Sequence, residues 1–157
     1  MLNKLLKEYI NNPKDGNVCF RLGMEYENIG QTSAAAGFYV RSIEFGFDIK
    51  LQYESLCRIA LCFEKQGNRW FMIKGLLLRA ISLLPNRPEA HFLLCRAYER
   101  NNDWQEGYTH SILAESIATS EPESITDLEY PGNWVFTFEK AVVAWWIGLH
   151  NESIYLF

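Results

Sequence analysis

Three stretches decide how this chain folds: Asn17–Gly46 (NVCFRLGMEYENIGQTSAAAGFYVRSIEFG), Glu54–Pro85 (ESLCRIALCFEKQGNRWFMIKGLLLRAISLLP) and Glu89–Ala118 (EAHFLLCRAYERNNDWQEGYTHSILAESIA). Laid over one another, each carries a large-then-small pair, Leu22-Gly23, Ile59-Ala60 and Leu94-Cys95. An aromatic follows four residues past the large one, at Tyr26, Phe63 and Tyr98, with intervals of 37 and 35 residues. A turn position comes next at Gly30, Gly67 and Asn102, residue types that tolerate positive φ. Small residues recur at Ala35 and Gly107, and again at Ser42, Ala80 and Ala114. Each unit has room for two helices of about 13 residues with short turns. A large residue and an aromatic one turn apart fill the space between paired helices, while Gly, Ala or Cys lets the backbones come close. No alternating β-branched run of useful length occurs. The predicted fold class is all-α, an α-solenoid of helix–turn–helix hairpins, since units of this size bury a continuous core by stacking.

The flanks and helix starts extend this reading. Leu2, Leu5, Leu6, Tyr9 and Ile10 lie on one face of a leading helix that Pro13 and Gly16 end. Asn86 before Pro88 and Glu89, and Asp103 three residues before Glu106, predict capping boxes. Within a single domain 1–157 the expected pieces are a leading helix 1–12, repeats 17–46, 51–84 and 87–117, and a loop 118–133 holding Pro122, Pro131 and Gly132. A partial repeat 134–157, with Gly148 at its turn, completes the set. Solenoid ends usually carry a polar capping helix. The sequence Tyr155-Leu156-Phe157 is not polar, so we expect either a chain cut there or a face covered by something else.

Composition narrows function. With 157 residues, 48% hydrophobic and 15% aromatic, the chain has core material for one folded domain rather than disorder. Lys+Arg number 15 against Asp+Glu 19, a net charge of −4, and no basic stripe is present, so nucleic acid is not an expected partner. The longest apolar run, AVVAWWIGL from Ala141 to Leu149, is far short of the ~20 residues of a membrane span. Lys4, Lys7 and Glu8 interrupt the first segment, so no signal peptide is read there and the expected location is cytoplasmic. Cys19, Cys57, Cys62 and Cys95 sit in apolar-periodic segments without a C-x-x-C spacing and read as buried thiols. His91 and Cys95 stand four apart on one helix, but no second pair completes a metal site. There is no nucleophile elbow, Gly-rich phosphate loop or HExxH. Glu99 with Glu115, and Glu54 with Glu64, read as solvated helix faces. No catalytic residue, metal or cofactor is expected, and the chain is not read as an enzyme.

The repeat resembles the tetratricopeptide repeat, a helix–turn–helix of about 34 residues. It departs from that pattern by one extra residue around Asn68 to Trp70, and by Cys19, Leu56 and His91 where the motif often opens on tryptophan. A narrower resemblance lies in LQYES (Leu51–Ser55), RPEAHFLLCRAYER (Arg87–Arg100) and FEKAVVAWWIGLHNES (Phe138–Ser153). These look like the helical-repeat tail found beside or fused to sugar-nucleotide glycosyltransferase domains, including those of phage and aquatic microbes. The resemblance implies a glycosyltransferase-associated module. The nucleotide-binding domain with its Asp-x-Asp motif is absent from the sequence.

The same resemblance implies a concave groove lined by the first helix of each repeat, taking a protein or peptide partner. The faces expected there are Asn17, Phe20, Met24 and Glu27, then Glu54, Cys57, Leu61 and Glu64, then Glu89, Phe92, Arg96 and Glu99. An apolar floor with an acidic rim suits an amphipathic or basic peptide, with Arg96 orienting a carboxylate or carbonyl. The alternative is that these groups pack on the leading helix or on the polar segment after the third repeat. A carboxylate clamp for chaperone C-termini is not expected, because Phe20, Met24 and Glu89 stand where it needs Lys and Asn. Trp145 and Trp146 point about 100° apart on a helix, so both are buried only if two faces are covered. One of them is expected in a homodimer interface or against a neighbouring domain. The expected function is a non-catalytic interaction module accessory to a glycosyltransferase or surface-polysaccharide machinery. The alternatives are a C-terminal fragment of a glycosyltransferase and a homodimerisation module.

Overall fold

The computed structural model describes residues 1–121 and 124–157; Pro122, expected in the loop 118–133, lies outside them. Among the described residues there are nine α-helices and no strand. They are α1 (Leu2–Asn11), α2 (Gly16–Asn28), α3 (Thr32–Phe45), α4 (Ile49–Gln66), α5 (Trp70–Leu83), α6 (Pro88–Arg100), α7 (Trp104–Ile117), α8 (Trp134–Trp146) and α9 (His150–Leu156). The fold is all-α and built of helix–turn–helix hairpins. The helices pack as two compact units, Met1–Leu84 and Pro85–Phe157.

In the first unit each helix packs on the next, α1 on α2 through α4 on α5, and α2 also meets α4. Phe20, Ala35, Tyr39, Leu51, Ile59 and Cys62 form one core cluster, and Leu5, Val18 and Leu22 another beneath α1. Two glycines of α2 sit in close contacts. A Cβ on Gly23 would fall 2.6 Å from the Tyr39 ring, and one on Gly16 would fall 2.7 Å from Gly46 Cα. A ring over Gly23 and a backbone over Gly16 at those distances leave no room for a methyl group. In the second unit α6 pairs with α7, α8 packs on both, and α9 packs on α8. Gly107 sits where three helices meet, with Tyr98 Cβ and Val143 Cγ1 both 3.3 Å from the position of an added Cβ.

The turn positions repeat in detail. Gly30, Asn102 and Gly148 have φ of 78°, 60° and 87°. After each, a backbone N–H reaches back to close the helix: Gln31 to the Tyr26 carbonyl (2.8 Å), Asp103 to Tyr98 (3.0 Å) and Leu149 to Ala144 (2.9 Å). The second hairpin instead uses two left-handed residues, Gly67 at 77° and Asn68 at 54°, which accommodates its extra residue.

Helix starts depart from expectation. The carboxylates of Asp15 and Asp48 cap α2 and α4, Asp15 accepting from Asn17 N (2.9 Å) and Val18 N (3.2 Å) and Asp48 from Lys50 N (2.9 Å). The predicted capping boxes at α6 and α7 do not form. Arg87, not Asn86, is the N-cap of α6, and Asp103 spends its carboxylate on Asn101 Nδ2 at 2.8 Å. Likewise α1 ends at Asn11, and Gly16 opens α2 rather than closing α1.

Candidate functional site

In the first unit the side chains expected to floor a groove are covered. Phe20 is 3% exposed and its ring lies 5.4 Å from that of Tyr39, while Met24 packs against the same cluster. Both fill the wedge between α2, α3 and α4, as the leading apolar stripe of a helix does when neighbours lie on two sides. Cys57 and Leu61 are buried as well, and Glu64 is half-buried. Glu27, expected on an acidic rim, ties three helices together: its carboxylate accepts from Tyr39 Oη (2.9 Å) and Lys65 Nζ (3.0 Å), with Arg58 Nη1 at 3.5 Å. Burial and the Glu27 charge hold the Tyr39 hydroxyl protonated, so it stays a donor. Glu54, read as solvated, is buried.

The third-repeat residues lie under the chain's own segment that follows α7. Ser120 donates from both its N–H (3.1 Å) and Oγ (2.7 Å) to the Asn86 carbonyl, fastening the segment at the start of α6. Ser124 Oγ donates to Glu89 Oε1 at 2.6 Å, and Arg87 closes on the same carboxylate. Burial works against charge on Glu89, but the Arg87 and Ser124 hydrogen bonds outweigh it and keep the carboxyl below its ordinary range. Further along, Leu128 is buried, Glu129 Oε2 accepts from Arg96 Nη2 at 2.9 Å, and the Tyr130 ring lies 6.1 Å from that of Phe92. Phe92 is 5% exposed. Packing on the polar segment after the third repeat, the alternative in the sequence reading, is therefore what α6 does.

Glu99 has a partner that spacing did not indicate. It stands beside Glu139 of α8, whose carboxyl is driven up to about 7 by burial first and then by Glu99, against the pull of Arg96 and Arg100. One Glu139 oxygen is buried without a hydrogen-bond partner. Glu115 pairs instead with Lys140 and Thr137, so Glu99 and Glu115 do not meet as a carboxylate pair.

A second buried polar pair joins His91 to His110. His91 Nε2 is 2.8 Å from the Pro85 carbonyl, which can only accept, so that nitrogen carries the proton. His91 Nδ1 then accepts, and His110 Nε2 donates to it across 3.3 Å. Burial and the neighbouring His91 push His110 down to about 4. Cys95, the other half of the His91 spacing, is buried, and all four cysteines are free and buried. Among the described residues no group of three or more His, Cys, Asp or Glu is placed to hold a metal, and no helix is long and apolar enough to cross a membrane.

The last hairpin is different. Trp134, Phe138 and Trp145 fall on one stripe of α8 and all are exposed, as are Ile154, Tyr155 and Phe157. The Trp134 ring leans on Phe138 (6.2 Å) and Phe138 on Phe157 (5.8 Å). Neither tryptophan of the adjacent pair is buried: Trp145 is 48% exposed beside His150, and Trp146 is 60% exposed and stacked on Trp104 at 5.0 Å.

No protein-family model and no curated protein matches the sequence. Solved structures do match in fold. MamA aligns with a TM-score of 0.79 at 17% identity, over 99% of this chain and 82% of that one. A kinesin light chain with nearly identical tetratricopeptide-like repeats from Podosopora anserina aligns at 0.73 and 17%, over 99% and 80%. YrrB, a tetratricopeptide protein with an unusual peptide-binding site, aligns at 0.72 and 12%, over 99% and 72%. At such identities the likeness is one of architecture, and what it shows is that this chain has the tetratricopeptide fold.

Proposed function

We propose that this protein is a non-catalytic interaction module of the cytoplasm, accessory to a nucleotide-sugar glycosyltransferase or related surface-polysaccharide machinery, and that it meets its partner through the α8–α9 hairpin. The observation that carries this reading is the set of large aromatic side chains held against one another yet open to solvent there, with Trp145 and Trp146 about half exposed. Tryptophan and tyrosine in such clusters are the usual anchors of protein interfaces. The peptide-binding character of YrrB supports a partner-binding role in general. The lineage resemblance in RPEAHFLLCRAYER and FEKAVVAWWIGLHNES supports the glycosyltransferase setting.

The test is affinity capture with protein identification, comparing wild type with a Trp145→Ala/Trp146→Ala variant of equal helicity. The expected result is a nucleotide-sugar glycosyltransferase enriched at least tenfold by wild type over the variant. Equal recovery by both, or recovery of no such enzyme, contradicts the reading. The same aromatic stripe favours a second reading, a homodimer. In that case light scattering shows a doubled mass for wild type and a single mass for the variant.

A further inference from the structure

We propose that the outward face of α5 binds the surface of an anionic lipid bilayer, so that the first unit lies on a membrane without crossing it. This inference draws on neither the α8–α9 surface nor the glycosyltransferase setting, and it does not depend on them.

The face belongs to one helix. Within the first unit α5 packs on α4, burying Leu77 and Ala80 and setting Leu76 against the core cluster. At about 100° per residue those three lie on one side of the helix, and Phe71, Met72, Gly75, Leu78, Arg79 and Ser82 lie on the other. All six are exposed, Phe71 at 84%, Met72 at 52% and Leu78 at 44%. A Cβ on Gly75, at the middle of this arc, would meet nothing within 4 Å, so no other part of the chain lies over it. Large apolar side chains thus stand on both sides of α5, where a helix facing water turns charged and polar ones outward.

Charge identifies the cover. Residues 65–88 hold five cations, Lys65, Arg69, Lys74, Arg79 and Arg87, and no Asp or Glu, in a chain whose net charge is −4. Lys65 pairs with Glu27 and Arg87 with Glu89, whereas Arg69 and Arg79 have no ion pair among the described residues. Arg69 reaches the start of the arc, its Nη1 3.8 Å from the Met72 sulfur, and Lys74 Nζ stands 5.8 Å over the Trp70 ring. Basic side chains around large apolar ones on a single convex helix match an anionic bilayer. The cations meet headgroup phosphates while Phe71, Met72 and Leu78 enter the acyl boundary. A nucleic acid would engage the cations and leave Met72 and Leu78 in water. With 14 residues, α5 is too short to span, and so few groups give a reversible attachment that salt weakens.

Flotation of the full chain with lipid vesicles tests this. Vesicles of equal parts phosphatidylcholine and phosphatidylglycerol are expected to carry at least tenfold more protein than vesicles of phosphatidylcholine alone. Phe71→Ser/Leu78→Ser and, separately, Arg69→Gln/Arg79→Glu are each expected to lower that recovery at least tenfold. All four side chains are on the surface, so helicity should match wild type. Trp145→Ala/Trp146→Ala should float as wild type does. No preference for anionic vesicles, flotation that survives either α5 variant, or flotation lost in the tryptophan variant overturns the proposal. Binding of a fluorescein-labelled oligonucleotide without flotation assigns the face to nucleic acid and overturns it too. So does a doubled mass without lipid that Phe71→Ser/Leu78→Ser reduces to a single one, since the face then takes a second copy. Should a double variant lose helicity, Leu78→Ser or Arg79→Gln alone replaces it and must still lower recovery; no loss overturns the proposal equally.

Discussion

Protonating His110 puts a charge into a buried site, where lost hydration and then the neighbouring His91 oppose it. Its folded pKa of about 4 lies below the ordinary 6.5, so between those values the unfolded chain binds more protons. Stability is then full above pH 6.5 and falls as the pH drops toward 4, by on the order of 3 kcal/mol. Urea midpoints at pH 7 and pH 4.5 measure this, and His110→Gln should flatten the difference. Glu139 acts in the opposite sense. Its folded pKa of about 7 lies above the ordinary 4.5, so its contribution is complete below pH 4.5 and is lost as the pH rises through 7. Glu139→Gln is expected to stabilise the protein at pH 8 by on the order of 2 kcal/mol and to change little at pH 4.5. Neither pair was legible in the sequence. Spacing along the sequence relates His91 only to Cys95, because partners that meet across helices leave no periodic signal. Glu139 looked like any charged residue of an amphipathic helix.

Helices, by contrast, were legible where local chemistry settles the matter. Gly30, Asn102 and Gly148 close their hairpins because a left-handed residue is needed there, which the two glycines adopt for want of a Cβ and Asn102 tolerates. The large-then-small pairs mark real close approaches, as Gly23 against Tyr39 shows. Capping was less legible, since many Asp and Asn residues precede helices and only geometry selects which of them bonds. The structure assigns that work to Asp15 and Asp48. Asp15→Ala and Asp48→Ala should each cost about 1 kcal/mol, whereas Asp103→Ala, which removes no cap bond, should cost under about 0.5 kcal/mol. Chemical denaturation of the three variants measures the contrast, and an equal loss at Asp103 would restore the capping box to α7.

Across the whole molecule, the exposed aromatic side chains lie on elements that the repeat pattern treats as flanks, and the residues it favours are buried. Phe20, Cys57, Leu61 and Phe92 share a phase along the sequence, but phase cannot reveal whether another part of the chain lies on top of them. For Phe92 that cover is Tyr130, from a stretch whose prolines and acids read only as a loop. The 100° between Trp145 and Trp146 predicts that one of them stays uncovered, and in the structure both are open to solvent. Hydroxyl-radical footprinting of the dilute free protein, quantified peptide by peptide, tests this arrangement most directly. The account predicts rapid modification of Trp134, Trp145 and Trp146, with Phe20 and Phe92 modified at least tenfold more slowly. Modification of Phe92 as fast as that of Trp145 would contradict it.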